Sequence, residues 1–429
     1  MEIKRDYYLK QLIDYQWNGQ VKVITGIRRC GKSYLLRTIF KRYLLDSGIS
    51  EANIISIELD QMKDIKYRNP IELVGYVRSI VCESNEKYYL FIDEIQMSDE
   101  VLNPYSPEGK RITFYDALND LKDLSNLDIY VTGSNSKMLS SDILTEFRGR
   151  GEEIRVHPLS FAEYYDAVGG DKNEAFENYM YYGGMPFVLS RPTEAAKINY
   201  LQTLFTEVYI KDIVERKKID RVDVLEKILD FLSSSIGSLT NPTKISNSLN
   251  SMINAGVSQN TVRSYIDHLE DAFLFSESKR YDVKGKSYFD YPYKYYCEDV
   301  GLRNARLGFR QQEPTHIMEN IIYNELIARG LSVDVGVVYS NERNNAGKYS
   351  KVAREIDFVV NGEGKRVYIQ SAYAMETEEK RDIENRPFSL TGDSFPKILV
   401  RRDIGKRWYD ENGVLNINII DFLLDKSIV

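Results

Sequence analysis

Apolar positions in the first 160 residues fall into short runs separated by helical stripes. "VKVIT" (Val21–Thr25), "NIISIELD" (Asn53–Asp60), "KYYLFIDEIQ" (Lys87–Gln96) and "LDIYVTGSNS" (Leu127–Ser136) read as four strands. The third is apolar on both faces, as a central parallel strand covered by helices must be. Between the first two strands, Leu35, Leu36, Ile39, Phe40, Tyr43 and Leu44 share one helical stripe, and residues 1–20 read as a helix leading into the first strand. This alternation predicts an α/β fold built on a parallel sheet with helices over it.

From about Ser160 helical patterns dominate, from "SFAEYYDAV" through "EAAKINYLQTLFTEVYIKDIVERKKI" to "VDVLEKILDFLSSSIG". The stretch from "NPTKISNSLN" to "KGKSYF" reads as helix, turn, helix and a basic β-hairpin, a winged-helix pattern. After about residue 310 one helix, "IMENIIYNELIARG", precedes the short strands "DVGVVYS", "EIDFVVN" and "RVYIQSAY".

The chain has 429 residues, enough for about three domains. Its net charge of −7 argues against bulk electrostatic attachment to DNA, although a local basic face is compatible with it. Cys30, Cys82 and Cys297 are far apart with no CxxC spacing, which disfavours a disulfide framework and predicts a reducing, cytoplasmic setting. The first residues lack the apolar core of a signal peptide, and no apolar run approaches the length of a membrane span. His157, His268 and His316 are too dispersed for a metal site.

The chemistry concentrates after the first strand. Gly26, Ile27, Arg28, Arg29, Cys30, Gly31, Lys32 and Ser33, followed by Tyr34, fit GxxxxGK[ST] between a strand and a helix. Such a loop turns its N–H groups onto phosphate oxygens at a helix N-terminus. Lys32 would reach the β- and γ-phosphates, and Ser33 would ligate Mg²⁺. The Arg28–Arg29 pair faces either phosphate, solvent or a neighbour. The strand ending in Asp93-Glu94 supplies the companion carboxylates: Asp93 for the magnesium ion and Glu94 as the general base that polarises water. An acidic pair there points to hydrolysis rather than passive nucleotide binding.

Three further features have two readings each. Ser134 and Asn135 either sense the γ-phosphate or belong to a plain turn. Arg148 and Arg150 are either arginine fingers acting across a homo-oligomer interface or surface partners of Glu152 and Glu153. Pro186, in "GGMP", either borders the adenine or breaks a helix.

With these residues in hand, the chain resembles the bacterial and archaeal AAA+-type ATPases that carry a C-terminal domain of unknown function. The resemblance rests on "GIRRCGKS", "FIDEIQ", "TGSNS", "RGR", "HPLSFAEYY" and "GGMP" in that order, and continues through "YIKDIVERKKI", "VSQNTVRSYIDHLEDAFLF" and "KYYCEDVGLRNA". It implies an ATP-binding AAA+ core over 1–158, a helical lid and connecting helices over 159–235, a winged helix over 236–310, and a restriction-endonuclease-like α/β domain over 311–429.

A nuclease of that type needs acids and a lysine around Mg²⁺. Glu325 and Asp357 are available, but Gln370 stands where an acid is needed and Ala372 where the lysine is needed, so no cleavage is expected. From Asn241 to Arg310, ten Lys and Arg face eight Asp and Glu, a weak balance for DNA, with Lys279, Arg280, Lys284 and Lys286 as the best phosphate contacts. The winged helix is equally compatible with a protein partner. The expected activity is Mg²⁺-dependent conversion of ATP to ADP; the rivals are a nucleotide-controlled switch and a DNA-binding regulator.

Overall fold

The computed structural model describes residues 3–83, 86–106, 109–134, 151–253, 256–343, 349–362, 365–375 and 377–429. The chain divides into two compact units, one of residues 2–158 with 271–273 and one of 159–270 with 274–429.

The first unit is built on five parallel strands: β1 (Val21–Thr25), β2 (Ile54–Glu58), β3 (Tyr88–Asp93), β4 (Leu127–Thr132) and β5 (Gly151–Arg155), in the order β2-β3-β4-β1-β5. The strand β5 is one that hydrophobic patterning misses. "GEEIR" is polar because it lies at the sheet edge, where only Ile154 is buried. Glu153 there accepts a hydrogen bond from Thr25 Oγ1 at 2.7 Å.

One face of the sheet buries Val21, Val23, Leu90, Ile92, Ile129 and Val131 against helices Pro70–Val81 and Phe114–Leu121. Asn69 caps the first of these helices through Ile71 N at 2.9 Å, with Pro70 pre-set at its first turn. Over the other face Phe40 packs on Tyr130 and Phe91, with ring centroids 4.9 and 5.8 Å away. The start of β1 is pinned to β4 by Asp128, which pairs with buried Lys22 and accepts from Tyr130 Oη at 2.8 Å and Trp17 N at 3.1 Å. β1 lies between β4 and β5, and the C-terminal ends of such strands are the usual ligand position of an open parallel sheet.

The second unit opens with helices, among them Phe161–Val168, Lys172–Tyr182 and Val222–Ser234. Helices Pro242–Ile253 and Gln259–Asp271 follow, and then a two-stranded ribbon of β6 (Phe275–Ser278) and β9 (Lys294–Cys297). An eight-stranded sheet contains β7 (Arg280–Asp282), β8 (Ser287–Tyr288), β10 (Ser332–Arg343), β11 (Tyr349–Gly362), β12 (Lys365–Ala372), β13 (Lys397–Arg401), β14 (Trp408–Tyr409) and β15 (Leu415–Asn418). Its order is β8-β7-β10-β11-β12-β13-β15-β14.

The boundary expected at residue 310 is crossed by this sheet. Arg280 pairs with Val335 and Asp282 with Val337, in parallel, so the basic hairpin read as a wing is the sheet's first edge. The reason is burial: Tyr281 and Val283 share a core with Val338, Ile356, Val359, Tyr368 and Leu399. A two-stranded ribbon could not have supplied that cover.

Candidate nucleotide-binding and hydrolysis site

The phosphate loop follows the buried strand β1. Gly26 has φ +134°, and a Cβ there would meet Val156 O at 2.1 Å, so only glycine lets the loop turn beneath residue 156. Cys30 is buried under the same segment, its Sγ 3.2 Å from Val156 O. Ile27 is wholly buried, Arg28 half-buried, and Arg29 exposed with φ +63°. Gly31 precedes the helical turn Lys32–Tyr34, after which the helix runs through the wider Leu35–Phe40 segment into Lys41–Asp46. Lys32 is buried and donates to Gly26 O at 2.9 Å and Ile27 O at 3.0 Å. Its ammonium therefore lies within the curl of its own loop.

Sheet register brings the second motif to this loop. Ser33 Oγ donates to Asp93 Oδ1 at 3.0 Å across 60 residues of sequence. Asp93 is buried at the end of β3, accepts from Thr132 Oγ1 at the end of β4, and lies 3.6 Å from Arg37. Arg37 pairs in turn with Glu58 at the end of β2, which Lys63 also reaches at 2.8 Å. The ends of β2, β3 and β4 thus meet the helix after the phosphate loop, which brings the Ser33 hydroxyl to the Asp93 carboxylate with the Arg37 guanidinium beside them. Such a donor set, oxygen-only and half-charged, suits Mg²⁺.

Glu94 follows with φ +54°, a left-handed conformation uncommon outside glycine and often kept at functional positions. Its N–H donates to Thr132 Oγ1 at 3.1 Å. Its carboxylate accepts from Gln96 Nε2, and the same amide reaches Ser134 Oγ at 3.3 Å.

Lys32, Ser33, Asp93, Glu94 and Ser134 therefore occupy the C-terminal ends of neighbouring strands and the loop between them. Asn135, Arg148 and Arg150 lie outside the described residues. Sequence reasoning missed Gln96, Thr132, Arg37 and Glu58. Gln96, Thr132 and Glu58 stood within quoted strands without an assigned role, and Arg37 carries no motif spacing.

Pro186 lies in the second unit, where it begins the turn Pro186–Ser190. The glycines before it serve a different partner. Asp299 is buried, accepts from Gly184 N at 2.6 Å and Leu302 N at 2.9 Å, and would lie 2.3 Å from a Cβ on Gly183. Burial pushes its carboxyl up to about 6 against those N–H groups. Asn304 donates to Met180 O and Tyr181 O at 3.0 and 2.9 Å. "GGMP" and "EDVGLRNA" are thus two halves of one structural joint.

Of the nuclease-like positions, Glu325 is the one whose surroundings differ from expectation. Glu325 pairs with Arg329 at 2.8 Å, one turn along its own helix. The helix carboxylate near Asp357 is Glu319, and buried Lys294 on β9 lies between them: 2.8 Å from Glu319, 3.2 Å from Asp357 and 2.7 Å from Glu355. Gln370 bonds Asp357 N and Glu384, and Ala372 is buried.

Among the described residues no helix is long and apolar enough to cross a membrane. Residues 18–165 match the family described as "AAA domain", and residues 173–313 match a domain of unknown function, DUF8612. An uncharacterized protein of Haemophilus influenzae is 33% identical over 98% of both chains. The uncharacterized protein MJ1544 of Methanocaldococcus jannaschii is 28% identical over 89% of this chain and 80% of its own.

Among solved structures, the Aeropyrum pernix ORC1 protein in complex with DNA is 14% identical over 71% of this chain and 92% of its own, with a TM-score of 0.28. AMPPCP-bound DnaA from Aquifex aeolicus is 14% identical over 61% of this chain and 85% of its own, with a TM-score of 0.29. Scores of that size carry nothing about function. The full-length match to the Haemophilus influenzae protein does settle kinship: the chain belongs to that protein's family, and its first unit carries an AAA domain of the α/β P-loop type.

Proposed function

We propose that the first unit binds ATP with Mg²⁺ and hydrolyses it to ADP and phosphate. The observation that carries this is the 3.0 Å bond from Ser33 Oγ to Asp93 Oδ1, with Glu94 next in the chain. Ser33 and Asp93 would hold the magnesium ion, which when bound offsets charge on the β- and γ-phosphates. Lys32 gives up its two loop carbonyls for phosphate oxygens, and the loop N–H groups hold the remainder. Glu94 takes the proton from the attacking water, and Thr132 keeps its backbone aligned with Asp93.

Nucleotide state is proposed to move the second unit. Val156 O sits against Gly26 and Cys30, and the chain enters that unit at Leu159, so a shift of the loop has a short covalent route outward. A second unit that grips nucleic acid or a protein without cutting is the reading Lys294 favours, because its ammonium already neutralises the carboxylates that a nuclease metal would need. The winged helix supports DNA contact weakly, since Arg263 on Gln259–Asp271 is engaged by Asp267 at 2.8 Å and Glu277 at 2.9 Å.

The test is steady-state ATP hydrolysis with Mg²⁺, with and without DNA. Lys32→Ala should lose ATP binding, and Glu94→Gln should retain ATP while turnover falls about 100-fold or more. Turnover of Glu94→Gln within a few fold of wild type would remove Glu94 as the base. Tight ATP retention with no wild-type turnover would make the protein a switch.

A further inference from the structure

We propose that Gln96 is the positioning residue of hydrolysis, fixing the Glu94 carboxylate through its side-chain amide. The inference rests on the ATPase reading above and assigns a role that reading leaves open.

The geometry has three parts. Glu94 sits on left-handed backbone, so its side chain leaves β3 in a direction that ordinary strand geometry does not give. Its N–H is held by Thr132 Oγ1 at 3.1 Å, which fixes where that side chain begins. Gln96 Nε2 then holds the far end by donating to Glu94 Oε2, and reaches Ser134 Oγ at 3.3 Å on the neighbouring strand end. The orientation of the amide follows from chemistry, because an ionised carboxylate only accepts hydrogen bonds and must face the N–H side.

The choice of an amide also matters. A neutral N–H donor restrains one carboxylate oxygen and leaves the other able to take a proton. The remaining atom of the amide, Oε1, is buried with no partner among the described residues. Among the described residues Gln96 is thus held by its donor side, between the candidate base and Ser134, for which γ-phosphate sensing is one of two readings.

The test measures kcat, KM and ATP affinity for Gln96→Ala and the similarly long, uncharged Gln96→Met, each in wild-type and Glu94→Gln backgrounds. Gln96→Met removes the donor with little change of volume and no change of charge, so ATP affinity doubles as a check of folding. In the wild-type background kcat should fall about 10- to 100-fold with KM and ATP affinity within about twofold. In the Glu94→Gln background the same changes should alter the residual rate less than about twofold, because Gln96 acts through Glu94. Unchanged kcat in the wild-type background, or an equal loss in both, would overturn the proposal while leaving Glu94 as base. Absence of any wild-type hydrolysis with ATP bound would overturn the ATPase reading and this one with it.

Discussion

Replacing Lys294 with methionine isolates the energetics of the second unit. Methionine is nearly as long and unbranched, so packing changes little while the charge disappears. What remains is a buried group of carboxylates: Glu319, which also accepts from Tyr296 Oη at 2.7 Å, and Asp357, which accepts from Ser371 N at 2.9 Å, with Glu355 one-third exposed beside them. Removing one partner of a buried pair typically costs about 3–5 kcal/mol, because the other charge keeps its desolvation penalty. The loss should depend on pH in a known direction. Burial already pushes Glu319 up to about 7 with Lys294 opposing, and without the lysine it rises further. An acid raised in the folded state supports folding while protonated and loses that support as pH rises through its folded pKa. The variant should therefore lie closest to wild type near pH 5 and furthest at pH 8. Urea unfolding followed by Trp408 fluorescence in a Trp17→Phe background reads the second unit, since these are the chain's two tryptophans and Trp17 belongs to the first. A deficit below about 1 kcal/mol at pH 8, or one equal at pH 5 and pH 8, would refute the reasoning. Adding Glu319→Gln should recover part of the loss.

Two further changes test other parts of the chain. Gly26→Ala places a methyl 2.1 Å from Val156 O at φ +134°, so it should abolish ATP binding and cost the first unit about 2 kcal/mol or more in Trp17-monitored unfolding; preserved affinity would show that the loop can shift. Glu270 accepts from Glu277 N at 3.0 Å, and burial, reinforced by the Glu277 charge, pushes it up to about 8. Wild type should lose stability relative to Glu270→Gln by up to about 1.4 kcal/mol per pH unit between roughly pH 4.3 and 8, so parallel melting curves over that range would contradict the shift.

The parallel sheet was legible because its strands are buried on both faces and therefore read as continuous apolar runs. Its edge strand β5 was not, since Glu152 and Glu153 follow from exposure rather than from a core. The phosphate loop and Asp93-Glu94 were readable because the chemistry requires fixed local spacing. Thr132, Gln96 and Arg37 were unreadable as a group, because three separate chain segments bring them together and only sheet register decides which side chains meet. The same limit explains Glu325. Helical spacing could not say which of its carboxylates faces β11, and the i,i+4 partner Arg329 took Glu325 while Lys294, from a ribbon strand, took Glu319. "GGMP" was visible as a motif, but its partner Asp299 lies 115 residues away.

The parallel pairing of Arg280 with Val335 has a consequence for how the polypeptide can be divided and how it emerges. A fragment begun at residue 311 would lack β7 and β8 and present the N–H and C=O groups of β10 as an open, valine-rich edge, an invitation to intermolecular pairing. During synthesis the order is reversed: β7 leaves the ribosome about 50 residues before the strand that must pair with it, and a parallel pair of that separation closes slowly. Tyr281 and Val283 must wait, uncovered, until β10 arrives. Any division of this protein into independently produced parts has to keep residues 280–288 with the sheet they finish.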